Sequence, residues 1–215
     1  LMASKLGPIE MWQPKQRQGK ATVATAISKL PRLAAGEMDH RDPMHRACNL
    51  SAINLKRIRA SRPGGTWREW PASLRAKCHR AEAGETFPSV YGRMEWDKPA
   101  PTMTTQCFGY GNGRFGHPEQ DRAITLREAA MLQTFPRGYQ FLPSDEKVVF
   151  HSMGRLIGNA VPVRLGYAIG KSLAEHVELA SEDPAVHNGP IEVSMMGRNS
   201  QGQVAHGTGR AALDS

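Results

Sequence analysis

The chain has 215 residues, with 28 Lys and Arg against 20 Asp and Glu and a formal net charge of +8, a length that suits one domain or one and a half. Its 21 glycines and 15 prolines argue for a loop-rich chain and against a helical bundle or coiled coil. No window supplies the roughly 18 consecutive apolar residues of a transmembrane helix, and Leu1-Met2-Ala3-Ser4-Lys5 lacks the long apolar segment of a signal peptide. Cys48, Cys78 and Cys107 lie too far apart for a disulfide scaffold or a Cys-x-x-Cys zinc site, which suits a reducing compartment and predicts a cytoplasmic protein. Opening on Leu rather than Met, the chain reads as an internal piece of something longer.

In chain order, residues 1–20 read as a strand end running into a linker at Trp12-Gln13-Pro14-Lys15-Gln16-Arg17. Thr22 to Leu30 has helical spacing at Val23, Ala26, Ile27 and Leu30 and stops at Pro31. Residues 31–120 hold many turn signals, among them Arg62-Pro63-Gly64-Gly65 and Gly109-Tyr110-Gly111-Asn112-Gly113, with short strands predicted at 89–96 and 102–108. The charge is concentrated here. Residues 41–80 carry 10 basic side chains against Asp42 and Glu69, a composition that fits a polyanion, because each cation that neutralises a phosphate releases condensed counterions. A merely solvated basic surface is the alternative.

From residue 122 the pattern changes. Thr125-Leu126-Arg127-Glu128 is a capping box, opening a helix that must end near Phe135-Pro136. A second helix is predicted from Ser144, with Asp145 and Glu146 at its N-terminus, burying Val149, Met153 and Leu156 and stopping at Gly158 as a left-handed cap. Pro162 starts a third helix, whose apolar stripe is Val161, Leu165, Ala168, Ile169 and Leu173; Gly166 and Gly170 predict close packing on a neighbour. From Ala180 to Ser215 the periodicity is lost and a disordered tail is predicted.

The stretch from Arg122 to Pro136 (Arg-Ala-Ile-Thr-Leu-Arg-Glu-Ala-Ala-Met-Leu-Gln-Thr-Phe-Pro), followed after about twenty residues by Ile157-Gly158-Asn159-Ala160-Val161-Pro162, closely resembles the ninth and tenth motifs of DNA cytosine-5 methyltransferases. Upstream, Tyr91-Gly92-Arg93-Met94-x-Trp96-Asp97-x-Pro99-Ala100-Pro101-Thr102-x-Thr104-Thr105 resembles the end of the variable region of bacterial members. The likeness covers about 20–179 and is strongest over 91–170. It implies an α+β chain: a loop-rich target-recognition region with short strands, then helices that complete the α/β fold of an S-adenosylmethionine-dependent methyltransferase. The implied divisions are a catalytic-core strand end and linker over 1–20, target recognition over 21–120, C-terminal helices over 121–179, and the tail over 180–215.

Members of this family attack cytosine C6 with the thiolate of a cysteine that follows a proline. The residues before the three cysteines here are Ala47, Lys77 and Gln106. The Glu-Asn-Val that protonates the ring is also missing, as is the glycine-rich turn after an apolar strand. Phe108-Gly109-Tyr110-Gly111-Asn112-Gly113 imitates that turn, but Arg114-Phe115-Gly116-His117-Pro118 after it cannot open a helix. Gln13-x-Lys15-x-Arg17 matches the arginine strand of the eighth motif poorly, and Leu1-Met2-Ala3-Ser4 reads better as its end.

The resemblance therefore implies the C-terminal portion of a bacterial restriction-modification enzyme, with no catalytic residue and no metal of its own. A split-enzyme or stand-alone DNA-binding subunit without chemistry is the alternative. Double-stranded DNA and a separate or missing catalytic portion are the expected partners, with no membrane, and localisation would be cytoplasmic and nucleoid-associated. Candidate DNA contacts are Arg93, Thr102, Thr104, Thr105, Arg114 and His117, each with an ordinary loop or strand role as the alternative. Glu128 closes the capping box and Arg127 is a surface arginine of the first turn in the plainer reading; the resemblance implies instead that the pair organises the junction between recognition region and catalytic core, and Gly158 also carries a structural role. Asn159 and the Val161 backbone are implied to touch S-adenosylmethionine.

Overall fold

The structure is a computed structural model. It describes residues 4, 6–13, 21–80, 86–143, 146–182, 194–198 and 204–208, with Cys78, Glu182 and the last two stretches described by backbone alone. Leu1–Pro14 with Tyr167–Ser215 form one compact unit, and Lys15–Gly166 form another.

In the larger unit, α1 (Val23–Ile27) is the helix expected at Thr22 to Leu30. Thr22 and Thr25 cap each other reciprocally, and Val23 and Ile27 are buried. Its leading N–H groups find acceptors outside the helix, Val23 on the Lys98 carbonyl at 2.9 Å and Ala24 on the Trp96 carbonyl at 3.0 Å, which meets the need every helix start has for external partners. Two strands that periodicity did not suggest follow. β1 (Met38–Asp39) and β2 (Asp42–Arg46) pair antiparallel, and Asp39 turns the chain by accepting the Arg41 N–H at 2.9 Å. The basic run around Lys56 is helical: α2 (Ala52–Ala60) starts at Ser51, whose hydroxyl accepts the Asn54 N–H. Single 3-10 turns follow at Trp67–Glu69, Ala72–Leu74 and Lys77–Arg80.

The strands predicted at 89–96 and 102–108 do not form. Arg93 makes isolated bridges with Pro63 and Gly116, and Gly116 bridges Ala123. Pro88, Gly92, Asp97 and Pro99 leave no extended run around this crossing long enough for a ladder. Residues 102–108 close on themselves, Cys107 N–H on the Thr104 carbonyl and Gly109 N–H on that of Gln106.

The capping-box helix is present as α3 (Leu126–Leu132), and Leu126, Ala129 and Ala130 are fully buried. The next helix, α4 (Phe150–Asn159), starts later than expected: Ser144 and Asp145 lie outside the described residues, and Glu146 to Val149 are not helical. It buries Met153, Gly154 and Ile157, whereas Val149 and Leu156 are exposed. Met153 is buried as expected, but Val149 and Leu156 are not: the packing of Gly154 against Phe108 turns Gly154 and Ile157 into the core instead. Gly158 is not a left-handed cap either. It lies within α4, where an added Cβ would overlap the Thr104 carbonyl, so glycine is required by close backbone approach. α3, α4 and residues 23–124 share one hydrophobic core.

α5 (Val163–Glu182) starts with Pro162 just outside, its carbonyl accepting the Gly166 N–H. Of the expected stripe, Ala168 is buried, Ile169 is half-buried, and Val161, Leu165 and Leu173 are exposed. A Cβ on Gly166 or Gly170 would meet nothing within 4 Å, so among the described residues neither glycine packs closely against a neighbour. In the smaller unit Trp12 sits edge-on to Tyr167, its N–H donates to Ser172 Oγ at 2.8 Å, and Lys171 Nζ lies 4.5 Å from its ring. The strand end expected at 1–4 falls mostly outside the described residues, as do Pro14 to Arg17, and residues 6–13 carry no strand. Of residues 180–215, expected to be a disordered tail, the described residues hold the end of α5 and an antiparallel pair, β3 (Ser194–Arg198) with β4 (Val204–Thr208), and the rest lie outside the described residues.

Candidate nucleic-acid and cofactor interface

The ninth-motif stretch is built around buried charge. Glu128, the third residue of α3, accepts the Thr125 N–H at 2.7 Å and two hydrogen bonds from Arg122 at 2.7 and 2.8 Å. Burial pushes the Glu128 carboxyl up, but the Arg122 hydrogen bonds and charge outweigh it, with help from His117 and the Thr125 N–H, and hold it below its usual range. Arg127 faces the other way. Its Nε and Nη2 grip Asp42 of β2 at 2.7 and 2.9 Å, and Nη1 donates to the Tyr139 carbonyl. Thr125 also ties β2 to α3: its hydroxyl accepts the Glu128 N–H and lies 3.0 Å from His45 Nδ1. His45 Nε2 is 2.8 Å from the Pro31 carbonyl. A carbonyl only accepts, so Nε2 carries the proton and Nδ1 accepts from Thr125. Arg122, Asp42 and His45 were not singled out in the sequence. Their partners lie 6, 85 and 80 positions away, and no local pattern reveals such pairs.

Arg93 is 5 % exposed. It donates to the carbonyls of Ile58, Ser61, His117 and Gln120 and pairs with Asp121. It knits three loops together and has its guanidinium turned inward. His117 is 2 % exposed, and its Nδ1 accepts the Glu119 and Gln120 N–H groups at 3.1 and 3.0 Å. Burial pushes its pKa down to about 4, so at neutral pH it is an uncharged scaffold residue. Both are buried with their polar atoms engaged inside the protein, which disfavours the DNA contact expected of them. Arg114 is half-buried and donates to the Gly65 carbonyl at 2.8 Å. Thr102, Thr104 and Thr105 stand exposed on the turns before Cys107.

Much of the basic window is also spoken for internally. Arg41 pairs with Asp39, Arg59 with Asp121 and Arg62 with Glu69. Arg57 donates to Leu74 and Asn54 and lies over Tyr91, within an aromatic cluster where Trp67 stacks on His79. Lys56 and Lys77 are exposed, and among the described residues neither has a partner. Cys107 is fully buried, and burial pushes its thiol up to about 11; the half-buried Cys48 thiol is pushed up for the same reason, against the pull of Arg46. The Cys78 side chain lies outside the described residues. Among the described residues no cluster of His, Cys, Asp and Glu could hold a metal.

The tenth-motif turn leaves α4 at Asn159. From there alternate residues part: Gly158, Ala160 and Pro162 line a cleft of about 310 Å³ with Thr102, Met103 and Gln133, while Asn159 and Val161 are exposed and do not line it. Among the described residues neither the Asn159 amide nor the Val161 N–H has a hydrogen-bond partner. A free amide and a free backbone donor on an exposed turn fit a small polar ligand group such as the amino-acid end of S-adenosylmethionine.

Comparison with known proteins places the chain in a family. Residues 8–175 match the family of C-5 cytosine-specific DNA methylases. The chain is 55% identical over 179 residues to the type II methylase M.HgiDII of Herpetosiphon aurantiacus, a match that spans 83% of this chain and 50% of that protein. It is 32% identical over 186 residues to DNA (cytosine-5)-methyltransferase 1A of Oryza sativa subsp. japonica, 80% of this chain and 11% of that one. A third relative is short: the type II methyltransferase M.AquIB of a Picosynechococcus species is 38% identical over 104 residues, 45% of this chain but 71% of that one. The chain belongs to the C-5 cytosine-specific DNA methylase family, and it spans about half the length of M.HgiDII. No helix among the described residues is long and apolar enough to cross a membrane.

Proposed function

We propose that this chain is the C-terminal, target-recognising portion of a bacterial DNA (cytosine-5)-methyltransferase of restriction-modification type. In this reading residues 21–120 recognise duplex DNA and 121–179 complete the S-adenosylmethionine site. When bound, the cofactor supplies the methyl group for cytosine C5. The chain's own residues orient and do not react: Asn159 and the Val161 N–H hold the amino-acid end of the cofactor. The ion pairs of Arg127 and Glu128 fix the junction between recognition loops and helices. Thr102, Thr104, Thr105 and Arg114, with Lys56 and Lys77, face the DNA.

The observation that carries this reading is the arrangement of the tenth-motif turn, exposed and unpartnered on one side while its other side is held in the unit that presents the recognition loops. A catalytic portion placed against the exposed side would bring nucleophile and cofactor together, and the exposed Leu165 and Leu173 would be covered. Chemistry by the chain alone is disfavoured, because no cysteine follows a proline and the two described thiols are shifted away from thiolate formation. The short relative M.AquIB favours the variant in which such a chain works as a separate subunit.

The test is reconstitution. The residues of M.HgiDII that this chain does not match, expressed as a separate chain, should associate with it. The pair should transfer labelled methyl from S-adenosylmethionine to cytosine in duplex DNA, and neither chain should do so alone. Failure of this chain to bind the catalytic portion or duplex DNA at low salt overturns the proposal.

A further inference from the structure

Thr134 has a φ of +64°, a backbone region that β-branched residues rarely enter. It belongs to the C-terminal cap of α3: the Phe135 N–H donates to the Ala130 carbonyl at 3.0 Å and the Thr134 N–H to the Met131 carbonyl at 2.9 Å. Two further bonds tie this cap to α5. The Thr134 hydroxyl accepts the Arg164 N–H of α5 at 3.0 Å, and the adjacent Gln133 carbonyl accepts the Val163 N–H at 3.1 Å. The first turn of α5 is thus capped by the end of α3 rather than by its own preceding residues. Gln133, 6 % exposed, also turns its side-chain amide to the end of α4, donating to the Ile157 and Ala160 carbonyls at 3.2 and 3.0 Å. Both acceptors are carbonyls, so the amide orientation is settled. These four bonds grip both ends of the segment 158–162 and leave its Asn159 and Val161 side free.

We infer that Gln133 and Thr134 are positioning residues for cofactor binding, holding the Gly158-Asn159-Ala160-Val161 turn in the geometry in which Asn159 and the Val161 N–H meet S-adenosylmethionine. The inference rests on the proposed role of that turn. It assigns to the end of the ninth motif a direct mechanical hold on the tenth. The left-handed cap at Thr134 turns one hydroxyl and one carbonyl onto successive N–H groups of α5.

Two variants separate the bond from the shape. Thr134→Val keeps volume and branching and loses the hydroxyl; Thr134→Ser keeps the hydroxyl. Gln133→Glu keeps the shape and, when ionised, loses both donors. In the 215-residue chain, amide exchange at Ala160, Val163 and Arg164 should quicken in Thr134→Val and Gln133→Glu by roughly three- to tenfold, the worth of one hydrogen bond. Thr134→Ser should match the parent. In the reconstituted pair the KM for S-adenosylmethionine should rise by a similar factor, with kcat at saturation and the KM for DNA unchanged. Unchanged exchange in Thr134→Val overturns the clamp, and that variant keeps the test open should Gln133→Glu fail to fold. Faster exchange with an unchanged cofactor KM overturns the positioning role. In that case Asn159→Ala decides where the fault lies: if it weakens the cofactor, the turn still lines the pocket and only the clamp's role fails; if it does not, the cofactor reading of the turn fails as well.

Discussion

Arg122 and Glu128 form a two-pronged ion pair in which neither side chain is more than 1 % exposed. Glu128 also closes the cap of α3, so one carboxylate both starts the helix and neutralises the arginine that enters it. Removing one partner of such a pair strands a buried charge, which costs about 3–5 kcal/mol. Glu128→Ala and Arg122→Ala should each lower the unfolding free energy by that amount in urea titrations. The double variant should cost clearly less than the sum. Additive losses would show that the pair is not coupled.

Stability should fall on mild acidification. His117 has a folded-state pKa of about 4 against an ordinary 6.5, with burial as the main cause, so the unfolded chain takes up its proton first. The stability this histidine gives by staying neutral is complete above about pH 6.5 and is lost as pH falls toward 4, on the order of 3 kcal/mol in all. Burial also lowers the pKa of His79, helped by Arg57 and Arg75, and adds in the same direction. His117→Asn offers an oxygen to the Glu119 and Gln120 N–H groups and should flatten the profile by about one proton's worth. An unchanged slope between pH 7 and 4.5 in that variant would refute the assignment.

Arg93 and the surface lysines should behave oppositely. Arg93→Ala removes a guanidinium that serves five acceptors and should destabilise the chain by about 3 kcal/mol or more. Lys56→Ala and Lys77→Ala should leave the melting temperature within a degree or two. Each should weaken duplex DNA binding and reduce the salt slope of log K by about 1 if it meets a phosphate. Salt-independent binding would remove this window from the interface.

The glycines of α4 and α5 make a contrast of sign. Gly158→Ala drives a methyl group into the Thr104 backbone and should destabilise by about 1–3 kcal/mol. Gly166→Ala and Gly170→Ala enter open space and should each stabilise the isolated chain by about 0.5–1 kcal/mol through helix propensity. Thermal melts of the three variants decide it. Should Gly170→Ala also weaken assembly with a catalytic portion, the open face of α5 is where that portion sits.

Cys107 should resist alkylation at pH 7.5 in the folded chain and react once it is unfolded, since its thiol is buried with a pKa of about 11. Rapid native labelling at Cys107 would contradict that burial.

Local patterns were enough to read α1, α3 and the start of α5 in the sequence, because a reciprocal Thr or Thr/Glu cap, a 3.6-residue spacing and a proline at a helix start act over a few neighbouring residues. The family was legible for a similar reason, since its two motifs are continuous stretches. The buried face of α4 was only partly legible: Met153 is buried as expected, but Val149 and Leu156, though apolar, are exposed, and the core shared with Phe108 takes Gly154 and Ile157 in their place. Charge misled in the same way. Arg93 reads as a DNA contact in sequence, yet two carbonyls at the end of α2 and, from residues 117–121, two more with the Asp121 carboxylate draw it inside. Gly158 looked like a cap because its partner, Thr104, lies 54 positions earlier. Sequence by itself determined which stretches carry the family's two motifs and which helices hold them. Tertiary structure alone decided which of them are buried struts and which remain free to bind, because burial and hydrogen-bond occupancy depend on partners far away along the chain.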